Sequence, residues 1–192
     1  IYHEHYSYLT AHSVDAVASR CGLNLFHVDR LPTHGGSNRY WLSRTLKPDE
    51  TVEAVLEDEK RAGLFDQNEW TNFAIRSQQA IDGLRQWFLH QAREGNTVVG
   101  YGAAHKGNTF LNAVGEASRT LKYVVDASPE KQGKFLPGSQ VQVLAPEQLN
   151  SANPTDVLIL PWNIAEELAE KTRSLAPQAR IWIAQPSMKQ LF

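Results

Sequence analysis

From Gly95 onward, short apolar runs alternate with amphipathic stretches, and this alternation restricts the fold more than any other feature of the chain. Thr97–Gly102 reads as a buried strand running into a glycine turn, and the stretch through Phe110 to Val114 continues as a helix. Leu121–Asp126, Gln140–Leu144, Asp156–Leu160 and Arg180–Ala184 read as further strands, the fourth purely apolar from Val157 to Leu160. Pro146–Leu149 opens a short helix and Asn163–Leu175 a longer one. Strands separated by helices must run parallel, because each helix carries the chain back to the same end of the sheet. The expected class is therefore α/β, with a Rossmann-like parallel sheet in the C-terminal domain.

A different pattern precedes it. Ala11–Arg20 reads as a helix that His12 or Ser13 caps and Gly22 ends. Leu23–Asp29 and Arg39–Ser43 read as strands around the turn cluster Pro32–Thr33–His34–Gly35–Gly36–Ser37, which makes a β-hairpin. Pro48 and Asp49 open a charged helix to about Arg61, with a narrow stripe of Val52, Val55 and Leu56. A long helix follows from about Asn68 to Arg93. Its Trp70, Phe73, Ala74, Ser77, Ile81, Leu84 and Phe88 recur at three and four residues, which predicts one buried face. The expected organisation is thus a helix and hairpin over residues 1–47, a helical connector over 48–94 and the Rossmann-like domain over 95–192.

The chain has 192 residues, of which 42% are apolar, enough for a substantial core. A formal net charge of -2 gives no electrostatic case for nucleic acid or an anionic membrane as partner. The single cysteine, Cys21, supports neither a disulfide framework nor a thiolate metal site. No apolar run approaches the roughly 20 residues that span a bilayer, so a cytoplasmic protein is expected. The first residue is Ile1, and titratable side chains follow at once, which reads as a piece of a longer chain.

Three segments carry chemistry. In Tyr2–His3–Glu4–His5–Tyr6, extended backbone puts His3 and His5 on one face and Tyr2, Glu4 and Tyr6 on the other. A histidine there suits a general base, with Glu4 or a tyrosine to orient it. A metal site would need a third ligand, and the HExxH spacing is absent, so the metal assignment is none. A polar loop is the plainer alternative. Gly100–Tyr101–Gly102–Ala103–Ala104–His105–Lys106–Gly107–Asn108–Thr109 is a strand-to-helix turn of the kind whose amides bind anions, with Lys106 adding positive charge. It is no Walker A loop, and His105 stands where a dinucleotide fingerprint has its third glycine. Asp126 ends the next strand, where a carboxylate takes a ribose hydroxyl in dinucleotide sites. A purely structural turn explains the same residues.

Lys131, Gly133 and Lys134 form a basic stretch, either closing on a diphosphate or solvated. His34–Gly35–Gly36–Ser37 either lets backbone approach a ligand or simply turns a hairpin. Pro161–Trp162–Asn163 falls at the carboxyl edge of the sheet, where open α/β sheets bind ligands. There Trp162 serves a ligand or the core, and Asn163 a ligand or a helix cap.

Taken in order, Tyr2–His3–Glu4–His5, Leu31–Pro32–Thr33–His34–Gly35–Gly36–Ser37, Gly100–Tyr101–Gly102–Ala103 with Lys106–Gly107–Asn108–Thr109, Val125–Asp126 with Lys131–Gln132–Gly133, Leu136–Pro137–Gly138 and Leu158–Ile159–Leu160–Pro161–Trp162–Asn163 resemble one family. It is the C-terminal half of the S-adenosylmethionine-dependent C-methyltransferases that act on nucleotide-linked deoxysugars. The resemblance implies a zinc-binding region and a methyl-donor domain upstream, so zinc and most of the S-adenosylmethionine site are expected outside this chain. It implies that the helix and hairpin are the tail of the donor domain, and that residues 95–192 hold a nucleotide-diphosphate sugar. It implies His5 as base at a keto-sugar, with Tyr2 and Glu4 beside it, and His34, Gly102, Lys106, Asn108, Thr109, Asp126, Lys131, Trp162 and Asn163 at the substrate. Ala104–His105 departs from the family, where many relatives carry a Pro-Ala-like pair. Two rival readings are an NAD-type oxidoreductase domain and a non-catalytic module that binds nucleotide sugar.

Overall fold

The computed structural model describes residues 6–33 and 36–192. Tyr2, Glu4, His5 and His34 lie outside the described residues. The chain divides into two compact units, one ending at Ala74 and the other spanning Ile75–Phe192.

In the first unit, α1 (Ala11–Arg20) packs with the antiparallel strands β1 (Asn24–Leu31) and β2 (Ser37–Ser43) and with α2 (Glu50–Arg61). Ala11, Leu25, Val28, Val52 and Val55 are its buried core, with Tyr40 and Leu56 packed against them. The stripe read from the sequence on α2 is therefore real, and it seats that helix on β1. The cap of α1 is not His12 or Ser13 but Thr10, whose hydroxyl accepts from the Ser13 amide while Ser13 Oγ accepts from the Thr10 amide. Ser13 thus takes the reciprocal place in a capping box, three residues into the helix. Asp49 caps α2 through the Thr51 amide.

Helix α3 spans Gln67–Arg93, 27 residues. Its second half buries Leu84, Trp87, Phe88 and Gln91. Its first half departs from the sequence expectation, because Trp70 is 51% exposed and Phe73 46% exposed. The two rings meet edge-on at 6.2 Å, and Trp70 Nε1 donates to the Leu64 carbonyl. Periodicity identifies an apolar face but not what covers it. Leu84, Trp87 and Phe88 lie in the core with sheet residues such as Val98 and Leu158, and the rings further up the helix do not.

The second unit holds a six-stranded sheet in the order β5-β4-β3-β6-β7-β8. The strands are β3 (Val98–Tyr101), β4 (Leu121–Val125), β5 (Val143–Leu144), β6 (Asp156–Ile159), β7 (Arg180–Ile183) and β8 (Lys189–Gln190). The first five in chain order are parallel, and β8 runs antiparallel to β7. Chain order 3-2-1-4-5 across the parallel part is the doubly wound arrangement, as the α/β expectation requires. Alternate residues face opposite layers. Val98, Val124 and Leu158 meet α3 and α4 (His105–Val114) on one face; Val99, Val125, Val157 and Ile159 meet α6 (Ala165–Leu175) on the other. Burial on both faces explains why these strands read as unbroken apolar runs. A short α5 (Gln148–Ala152) adds Leu149 to the second layer.

At the amino end of β6, Asp156 is fully buried. Its carboxylate accepts from Arg180 Nη2 and Trp182 Nε1, both at 2.8 Å, and from Thr155 Oγ1 at 2.9 Å. Among the described residues no helix is long and apolar enough to cross a membrane.

Candidate functional site

Strands β3 and β6 are neighbours, yet the chain leaves them toward opposite sides of the sheet, which opens a crevice beyond their carboxyl ends. Two loops line it. After β3, Gly102 has φ +88, and a Cβ there would lie 2.5 Å from the Pro161 ring. Gly107, in the first turn of α4, would put a Cβ 2.6 Å from Leu160 Cβ. Both glycines are thus required for the turn to press against the loop that follows β6. This is a packing reason for them that a glycine count in the sequence does not reveal.

Helix α4 begins at this contact. Its capping position is Ala104, in extended conformation with no side-chain cap. The first turn of a helix leaves its N–H groups without intrahelical partners and carries partial positive charge. Lys106 Nζ sits 5.2 Å from the centroid of the Trp162 ring, and Phe110 meets the same ring edge-on at 6.4 Å. Trp162 is therefore half-buried support for the lysine, in a 3-10 turn over Trp162–Ile164. Asn163 is exposed beside it and does not cap α6, whose capping residue is Ile164. Thr109 Oγ1 donates to the His105 carbonyl within the helix. Asn108 Oδ1 is buried and has no hydrogen-bond partner among the described residues. Phe110 was not singled out from the sequence; its place four residues after Lys106, on the same helix face, was the available signal.

Asp126 closes β4 and points back at the turn. Its Oδ2 accepts from the Ala103 amide at 2.7 Å and from Lys131 Nζ at 3.1 Å, and its Oδ1 accepts from the Ser128 amide at 2.9 Å. Lys131 Nζ also donates to the Ala103 carbonyl at 3.1 Å, and Gln132 Nε2 donates to the Asp126 carbonyl. Further along, Asn112 on α4 donates to the Pro137 carbonyl, seating the Leu136–Pro137–Gly138 segment on the helix. Tyr101, at the end of β3, is buried, and burial raises its phenol above the ordinary value and keeps it neutral. Gly102, Lys106, Asn108, Thr109, Asp126, Lys131, Trp162 and Asn163 thus gather at one edge of one sheet. Within that group Asp126 and Lys131 face each other, with Ala103 between them.

A family model described as the C-methyltransferase C-terminal domain matches residues 32–185. The chain belongs to that family. C-methyltransferase NovU of Streptomyces niveus is 31% identical over 176 residues, which cover 90% of this chain and 42% of NovU. The chain therefore spans less than half the length of the curated relative it matches. The matched C-methyltransferase C-terminal domain takes in the whole switch-point edge and the hairpin turn from Pro32, but begins after Tyr2–His5.

Among the described residues, the turn between β3 and α4 of this C-methyltransferase domain offers the methyl donor implied by its family no carboxylate without partners. A donor site of the Rossmann type needs a glycine turn with a carboxylate open to ribose hydroxyls. Here the corresponding carboxylate, Asp126, already has both oxygens bound by Ala103, Ser128 and Lys131. Among the described residues, no group of three or more His, Cys, Asp or Glu could hold a metal ion.

Proposed function

We propose that this chain is the substrate-holding C-terminal part of an enzyme that transfers a methyl group from S-adenosylmethionine to a carbon of a nucleotide-linked keto-deoxysugar. The observation that carries the reading is the family match over residues 32–185, laid over a switch-point crevice whose helix opens on an uncapped turn beside Lys106. That turn suits the diphosphate of the nucleotide. The amides of Lys106 and Gly107 face negative charge with the helix dipole behind them, and the Lys106 ammonium adds a full charge held over Trp162. Thr109, Asn108 and Asn163 supply neutral polar groups on the same edge.

Methylation at a carbon next to a carbonyl starts with a proton leaving that carbon, its electron pair delocalising onto the carbonyl oxygen as an enolate. His5 is the base in this reading, because imidazole titrates near neutral pH, and Tyr2 and Glu4 flank it in the sequence. The NAD-type alternative is disfavoured on two grounds. His105 replaces the third glycine of the fingerprint, and the carboxylate that would read a ribose is committed to Ala103, Ser128 and Lys131.

The test is His5→Ala in the full-length enzyme. Turnover should fall by about 10²–10⁴-fold, the usual contribution of a positioned base, with methyl-donor affinity unchanged. Deuterium exchange from solvent into the sugar carbon, measured without methyl donor, should fall in parallel. Normal exchange in the variant would remove His5 from the role.

A further inference from the structure

The hydrogen bonds around Ala103 close a ring. The Ala103 amide donates to Asp126 Oδ2, that oxygen accepts from Lys131 Nζ, and the same ammonium donates back to the Ala103 carbonyl. Both polar groups of one backbone residue are thus held by an ion pair whose members come from the end of β4 and the loop beyond it. Ala103 immediately precedes the capping residue of α4, so its orientation sets where the first amides of the helix aim. Side-chain exposure differs between the partners: the Asp126 carboxylate is 12% exposed and the Lys131 side chain 46%. A partly exposed ammonium fixed at two oxygens is poorly placed to swing onto a ligand without breaking the ring.

We propose that Asp126 and Lys131 are positioning residues that hold the anion-binding turn in shape without touching the bound anion. This rests on the reading that the α4 turn takes the diphosphate, and it reassigns the basic residue nearest that turn in the loop after β4. The alternative for Lys131 is direct contact with phosphate, with Asp126 merely neutralising it when the site is empty. The two roles predict opposite signs for one substitution. Removing the negative charge of Asp126 makes the edge more positive and frees Lys131, so direct contact predicts tighter anion binding. The clamp predicts weaker binding, because the turn loses the group that fixes it.

The experiment measures binding of inorganic pyrophosphate and of uridine diphosphate to the 192-residue chain and its Asp126→Asn, Lys131→Met, Lys131→Arg and double Asp126→Asn/Lys131→Met variants. Affinity should drop about ten-fold, roughly 1.4 kcal/mol, in each of the first two. The double variant should fall no further, since both substitutions open the same ring. Lys131→Arg should restore most of the affinity. Unchanged or tighter binding by Asp126→Asn overturns the clamp, and so do additive losses. Amide hydrogen exchange in the ligand-free chain decides the same question independently. The Ala103 amide should exchange at least about ten-fold faster in Lys131→Met and Asp126→Asn while Val157, in the middle of the sheet, keeps its protection. Unaltered protection at Ala103 also overturns the clamp. If the unsubstituted chain binds neither anion, the diphosphate reading falls and the exchange result still stands for or against the ring.

Discussion

At the amino end of α1 the protein supplies the acceptors itself. Thr10 and Ser13 exchange side-chain bonds, and Glu59, reaching over from α2, accepts from the amides of Ala11 at 2.5 Å and His12 at 3.1 Å. At the amino end of α4 the capping residue is Ala104, whose methyl can accept nothing. Asp126, at the end of β4, stops short of the helix and takes the Ala103 amide, just before the capping residue, instead. Two helices of ten residues each therefore treat the same positive pole differently. In α1 it is neutralised from within and contributes to holding α2 onto the first unit. In α4, among the described residues, no side-chain cap neutralises it.

The largest effect expected from breaking this contrast is at Glu59. Glu59→Ala removes a charge-assisted acceptor from two amides and from His12 Nδ1, which sits 2.8 Å away. A hydrogen bond to a charged group is worth about 1.5–3 kcal/mol, so denaturant unfolding followed in the first unit should show a loss of at least that size. Burial opposes ionisation of Glu59, but the bonds from His12 and from the Ala11 and His12 amides outweigh it and hold its carboxyl below the usual value. A depressed carboxyl contributes stability that is complete above the unfolded value of about 4.3 and disappears as pH falls through the lower folded value. The Glu59→Ala deficit should accordingly shrink only in acid. A deficit that persists unchanged at pH 2 would mean that packing, not charge, holds the end of α1.

Giving α4 what α1 has should have the reverse effect on stability. Ala104 already has the extended backbone of a capping residue. Ala104→Asp should therefore stabilise the second unit by about 1 kcal/mol. The same carboxylate should occupy the pole and abolish binding of a nucleoside diphosphate. Thermal unfolding and calorimetric titration of the one variant read both. A gain in melting temperature with binding intact would move the anion site away from α4.

The smallest expected effect concerns α2, capped by Asp49. His27 Nδ1 lies 2.6 Å from Asp49 and His27 Nε2 lies 3.1 Å from Asp29. Hydrogen bonds donated to these carboxylates raise the imidazole above its ordinary value, and bonds from Thr51 and His27 pull Asp49 down to about 2. A raised histidine contributes fully below its unfolded value near 6.5, and the contribution is lost as pH climbs through the folded value. Stability should decline slightly above neutrality, and His27→Ala should flatten that decline. Equal slopes in the two proteins would show the cap of α2 to be independent of His27.

What could be read in advance followed from local rules. The parallel strands announced themselves as apolar runs between helices, and the hairpin as two strands around a glycine-rich turn. Gly102 and Lys106 marked the turn through residue type alone. Strand order could not be read, because it depends on which distant segments pair, and only that order makes Trp162 the neighbour of Lys106. Asp126 was legible as the acid at the end of its strand but not in its role. That role depends on Ala103, a residue whose side chain carries no signal and whose backbone makes the contact. Trp70 and Phe73 mark the opposite limit, since their spacing was right for a buried face and their surroundings leave them half exposed.

Asp156 lies at the opposite end of β6 from Trp162. Its bonds to Arg180, Trp182 and Thr155 lace the feet of two parallel strands together, at the edge of the sheet opposite the residues that would meet a ligand. Arg180 is half exposed, but the Asp156 carboxylate is fully buried and would lose its charge-assisted partners, so drift is penalised at that end. The loops at the other end rest on this foundation and can be rewritten one at a time without loosening it. A lineage built on this sheet is therefore free to change what it recognises faster than it changes how it folds.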